Sequence, residues 1–179
     1  MKRRVTAIGL LLALSAPALL FAKGTTTRIT IAGGRLSTAI EITDPDLVQQ
    51  FNVWAGPGTS MEMRDAATGQ WHRTQGTHGF IVDWPAGNIA STPAGLERYE
   101  VSFFVKYPNS AAEQLAYVVL YANDRSSSDG YVYLPGPGDE RYRLNTRAIF
   151  RGVEGKWFRA SAAWRQVVTP LIATQTHPL

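Results

Sequence analysis

Three histidines, His72, His78 and His177, are available for acid–base or metal chemistry in 179 residues. His72 and His78 stand six apart in a stretch rich in turn formers, where Glu62 or Asp83 could join them around zinc. No H-E-x-x-H or comparable spacing accompanies them, so surface histidines are the default and no metal site is expected. The serines, Ser37, Ser60, Ser91, Ser102, Ser110, Ser126 to Ser128 and Ser161, include neither a G-x-S-x-G elbow nor an S-x-x-K pair. Asp124, Ser126 and Ser128 resemble the start of a calcium loop. Asp129 then stands where that loop needs glycine and Pro135 where it needs glutamate, so a polar hairpin turn is expected instead. Paired carboxylates for glycoside cleavage converge from separate strands, and no spacing identifies a pair; Glu62, Asp83 and Glu100 are merely eligible. The chain has no cysteine, which excludes thiol catalysis, iron–sulfur clusters, cysteine zinc sites and disulfides. No cofactor is expected.

The aromatic residues point to binding rather than catalysis. Among five tryptophans and seven tyrosines, Tyr117, Tyr121, Tyr131 and Tyr133 fall on adjacent predicted strands. Tyrosine joins apolar area to a polar tip and suits protein or sugar contacts. The competing reading is that a sheet face needs a cover, which would make these tyrosines core. Downstream, residues 141–165 carry Arg141, Arg143, Arg147, Arg151, Lys156, Arg159 and Arg165 against Glu154 alone. Such a segment either pairs with acids elsewhere in the fold or forms a basic face for an anionic partner. Tyr117, Tyr121, Tyr131, Tyr133, Arg143, Arg147 and Arg151 are therefore the candidate binding surface.

The N-terminus alters this charge argument. Lys2, Arg3 and Arg4 precede an apolar run over residues 5–14 and then small residues, the pattern of a secretory signal peptide. Cleavage after Ala18 would leave Leu19, Leu20 and Phe21 on the new end. Cleavage after Ala22 leaves a polar start and is preferred, giving residues 1–22 as signal peptide and 23–179 as one domain. An uncleaved anchor is the competing reading, against which Ser15 and Pro17 interrupt the run. Without residues 1–22 the chain has 15 basic and 14 acidic residues, so binding of nucleic acid is not inferred from overall basicity. The expected destination is the periplasm, cell wall or medium, with no membrane span in the mature chain; the oligomeric state is left open.

Periodicity supplies the elements that would position these side chains. Alternating apolar residues predict strands over 25–31 and 40–43. Asp44-Pro45-Asp46 combines an N-cap, a first-turn proline and an acid, predicting a short helix over 45–52. Residues 59–79 read as a long loop with a weak strand at 61–64 and a turn at 67–70. A strand over 80–84, closed by Pro85, and a loop over 86–96 follow. Strands over 99–107, 115–122 and 131–134, joined by short turns, predict an antiparallel meander. Short strands are expected at 142–144, 148–150 and 156–160. The closing helix, 161–173, presents Trp164, Val167, Val168, Leu171 and Ile172 on one face, with Pro170 expected to kink it or end it early. The fold class is α+β: a single domain with an antiparallel sheet, a central meander, a short N-terminal helix and a C-terminal helix packed on it.

Phe51-Asn52-Val53-Trp54-Ala55-Gly56-Pro57-Gly58, Gly79-Phe80-Ile81-Val82-Asp83-Trp84-Pro85 and the stretch 131–164 resemble a group of small exported bacterial proteins of unassigned function. The resemblance implies bacterial export and one domain, and it carries no site residues. The expected function is that of an exported, non-enzymatic domain binding a protein or glycan at the cell envelope or outside. The alternatives are an envelope hydrolase using convergent carboxylates or the loop histidines, and a structural or assembly factor of the envelope.

Overall fold

A computed structural model describes residues 24–54, 56, 60–64, 68–75, 79–92, 94–108, 110–127, 129–145 and 152–175. The signal-peptide segment, His78, His177, Arg147, Arg151 and the expected strand at 148–150 lie outside them. In chain order the strands are β1 (Thr25–Gly33), β2 (Ile40–Ile42), β3 (Ser60–Arg64), β4 (Trp71–Gln75), β5 (Asn88–Ile89), β6 (Glu97–Lys106), β7 (Gln114–Asn123), β8 (Gly130–Leu134) and β9 (Lys156–Arg159). Helix α1 (Pro45–Gln50) follows β2, and α2 (Ala162–Gln175) closes the chain. Seven strands form one antiparallel sheet in the order β2-β1-β6-β7-β8-β9-β5, and β3 pairs with β4 separately. This is a single α+β domain, and the meander expected at its centre runs from β6 through β9.

The alternation in β1, β6, β7 and β8 sends one residue set inward. Ile29, Ile31, Tyr99, Val101, Phe103, Val119, Tyr121 and Val132 are all fully buried. Two helices and two loop segments cover this inner face, because a sheet with so much apolar area on one side must be shielded. Asp44 caps α1 by accepting from the backbone N–H groups of Asp46 (2.9 Å) and Leu47 (3.3 Å), and Val48 and Phe51 turn inward. Trp164, Val168 and Ile172, four residues apart, form the buried stripe of α2. Phe51 meets Trp164 edge-on at 5.0 Å, and Phe80 meets Phe103 at 5.1 Å.

Four expectations are corrected. Of the two outcomes expected at Pro170, the early end is overturned, since α2 continues to Gln175. Pro170 is on the exposed side, where the carbonyl left without its N–H partner can be hydrated while the buried stripe holds the helix down. Residues 80–84 contribute only the bridge Val82↔Ala160, after which Trp84–Ala86 turns into a 3-10 helix that Pro85 favours by fixing φ. Residues 142–144 are not a strand, since Glu140–Arg143 is also a 3-10 helix. Within 59–79 the strand expected at 61–64 is present as β3, but the rest is not all loop, since β4 pairs with it, registered as Glu62↔Arg73 and Met63↔His72. Strand β4 (Trp-His-Arg-Thr-Gln) lacks apolar alternation, so period-2 reasoning passes over it.

The end of β8 shapes the other face of the sheet. Leu120↔Tyr133 is the last registered pair of β7 with β8, and continuing that register would set Pro135 opposite Val118. Proline has no N–H to donate to the ladder, and the chain turns away. The Asn145 side chain takes the vacant place. Its Oδ1 accepts from the Val118 N–H at 2.8 Å, and its Nδ2 donates to the Val118 carbonyl at 2.6 Å. One amide side chain thus reproduces a strand residue's pairing and folds residues 135–145 back against the sheet.

Candidate functional site

The tyrosines do not share a face. Register pairs Tyr121 with Val132 and Tyr131 with Ala122, so alternation sends Tyr117 and Tyr121 inward and Tyr131 and Tyr133 outward. Tyr117 and Tyr121 are core residues, 1% and 0% exposed, and Tyr121 packs edge-on against Trp164 at 6.1 Å. Their place in the expected binding surface is corrected, because the register between strands decides a face and a single strand's pattern does not. Tyr131 is also buried, at 7% exposure. Tyr133 is half-buried on the outer face.

Around Tyr133 the outer face assembles residues that sequence reasoning had not connected. Tyr133 pairs across the strands with Trp157, and their rings meet at 5.1 Å with a 39° tilt, forming one bent aromatic surface. The indole is half-buried, and the Arg98 guanidinium carbon lies 5.7 Å from its ring centroid. The Tyr133 hydroxyl donates to Asp139 at 2.9 Å, and Asp139 also accepts from the Gly136 N–H at 2.6 Å. That carboxylate locks the turn after β8. Beyond it, Gly138, Asp139, Glu140, Tyr142 and Arg143 line an open cleft of about 360 Å³. Arg143 is the described arginine of the expected trio, and it reaches this cleft. Trp157 was legible only as part of a short strand; its partners come from β6 and β8.

Three arginines of the basic C-terminal segment are tied to acids of the preceding chain. Arg141 pairs with Glu100, while Arg159 and Arg165 flank Asp129 at 3.7 and 3.6 Å. Charge opposition across the fold accounts for these three arginines. Each pair is partly solvent-exposed, so each contributes about 1 kcal/mol or less.

The eligible catalytic groups come from several separate elements. His72 lies in β4 and Glu62 in β3, whereas Asp83 begins the 3-10 turn at Trp84 and Glu100 is tied to Arg141 on β6. Among the described residues no three histidines or carboxylates gather at metal-binding distance. Ser102 is buried in mid-strand and Ser161 caps α2 by accepting from the Trp164 N–H at 3.2 Å. Asp124 accepts from the Ser126 and Ser127 hydroxyls, which hold its carboxyl down at about 2 and close a polar hairpin turn. The Glu113 carboxyl is likewise lowered, by the Arg28 guanidinium. A general acid needs the opposite shift.

Comparison of the chain with protein-family models, curated proteins and solved structures gives no match. The functional reading therefore rests on the outer face itself.

Burial also sets how the phenols titrate. It pushes Tyr99 up to about 12, reinforced by the hydrogen bond to Glu97, and it raises Tyr117 and Tyr121. Tyr133 is raised by burial and by Asp139. Because these folded values exceed the unfolded value of about 10, their contribution to stability is full below pH 10 and is lost as pH rises through the folded pKa. Absorbance at 295 nm should show native protein at pH 11 with fewer ionised phenols than the urea-unfolded chain. Superimposed titration curves would contradict the burial described.

Proposed function

We propose that the protein is exported and acts without catalysis, binding a glycan at the cell envelope or outside through the outer face of its sheet. The observation that carries this reading is the tilted Tyr133–Trp157 pair beside the cleft of Gly138–Arg143. A pyranose ring presents an apolar C–H face and a polar rim, and two half-buried aromatic rings flanked by hydrogen-bonding side chains complement both. The platform is sugar-sized. A stable protein interface buries roughly 1,200–2,000 Å² around an apolar centre, whereas this face surrounds two rings with Arg98, Glu100, Arg141 and Arg159. Export is supported by the basic-then-apolar start.

The test is retention on envelope polysaccharide. Trp157→Ala should weaken it roughly tenfold, about 1.4 kcal/mol, with the far-ultraviolet circular dichroism of the folded protein preserved. Undiminished retention of that folded variant would remove the platform from the reading.

A further inference from the structure

We propose that Arg98 is an anion subsite of this platform and that the glycan it takes bears carboxylates, as a uronate-containing oligosaccharide does. The inference rests on the reading that Tyr133 and Trp157 hold a sugar. Its own support is the distribution of arginine partners. Arg28 pairs with Glu41 and Glu113, Arg35 and Arg125 with Glu97, Arg141 with Glu100, and Arg159 and Arg165 with Asp129. Arg98 is exposed and has no carboxylate partner among the described residues; its contact is the face of Trp157.

That contact leaves the guanidinium chemically open. The guanidinium carbon stands 5.7 Å from the ring centroid, and a cation–π contact at that distance does not use up the five N–H donors, which can still meet a carboxylate. Arginine meets a carboxylate through two parallel N–H···O bonds, a geometry that a neutral hydroxymethyl group cannot reproduce. Glu100, the nearest acid along the same face of β6, is held by Arg141 and so does not neutralise Arg98. A uronate residue carries both complements at once: C–H groups for the aromatic rings, and a carboxylate on the ring carbon next to its ring oxygen.

A panel of uronate oligosaccharides printed beside their carboxyl-reduced, neutral counterparts tests the assignment. Wild-type protein should prefer at least one uronate member tenfold or more over its reduced twin. Arg98→Gln, a surface change, should abolish the preference, so that the uronate member and its neutral twin bind the variant equally. No preference in the wild type, a preference that survives Arg98→Gln, or an Arg98-dependent preference confined to sulfated glycans without uronate would each overturn the proposal. Trp157→Ala separates the two failures. If it removes neutral and acidic binding while Arg98→Gln changes nothing, only the subsite is wrong; if it changes neither, the platform itself is wrong.

Discussion

Trp164→Ala should cost about 3–5 kcal/mol of folding stability, as large-to-small aromatic changes in cores do. Domains of this kind have roughly 5–15 kcal/mol in total, so the variant should unfold at a much lower urea concentration. Trp164 is fully buried where α2 meets the sheet. Its ring is packed edge-on by Phe51 from the segment after α1 and by Tyr121 from β7. The cavity would open at the junction of three elements, which cannot all collapse into it at once. A second variant isolates packing from polarity. The indole Nε1 is buried with no hydrogen-bond partner among the described residues, so Trp164→Phe deletes a desolvated donor along with part of the volume. Its loss should be about 1–2 kcal/mol. Equal urea midpoints for the two variants would contradict this packing.

Asn145→Ala should destabilise by about 2–4 kcal/mol, through the two Val118 backbone groups it strands rather than through lost volume. Val118 is fully buried and Asn145 is 4% exposed, so water cannot readily replace the amide. Hydrogen exchange at the Val118 N–H should accelerate sharply in this variant while β1 and β6 keep their protection. Asn145→Asp adds a check with a defined sign. Its carboxylate would accept from the Val118 N–H but would face the Val118 carbonyl, raising the folded pKa above the unfolded value of about 3.9. The variant should therefore be most stable below pH 4 and lose stability as pH rises through the folded pKa. Stability independent of pH over that range would show that residue 145 does not engage the strand edge.

The two variants probe features of different legibility. The Trp164 stripe is visible as apolar residues at helical spacing, and Asp44-Pro45 announces α1 just as plainly. Asn145 carries no such mark. An asparagine in a turn-rich stretch is ordinary, and its role depends on Pro135, ten residues earlier, ending β8 opposite Val118. Likewise β4 has no apolar alternation, and the segment after Phe80 looks like a strand because its residues are apolar. Its partner beside Ala160 is too short to extend a ladder.

The candidate site shows the same division. Residue order alone determined the meander, the helix that covers it and the polar turn at Asp124, because each is written in a local period or capping pattern. It also placed aromatic residues on neighbouring strands. Only the tertiary structure decided that Tyr117 and Tyr121 enter the core, that Tyr133 meets Trp157 outside, and that Arg98 stands over the Trp157 ring. Alternation within one strand defines two faces without naming which is inner, and the register between strands is set by pairing and by the cover the helices provide. A site assembled from β6, β8 and β9 therefore exists only once that register is made.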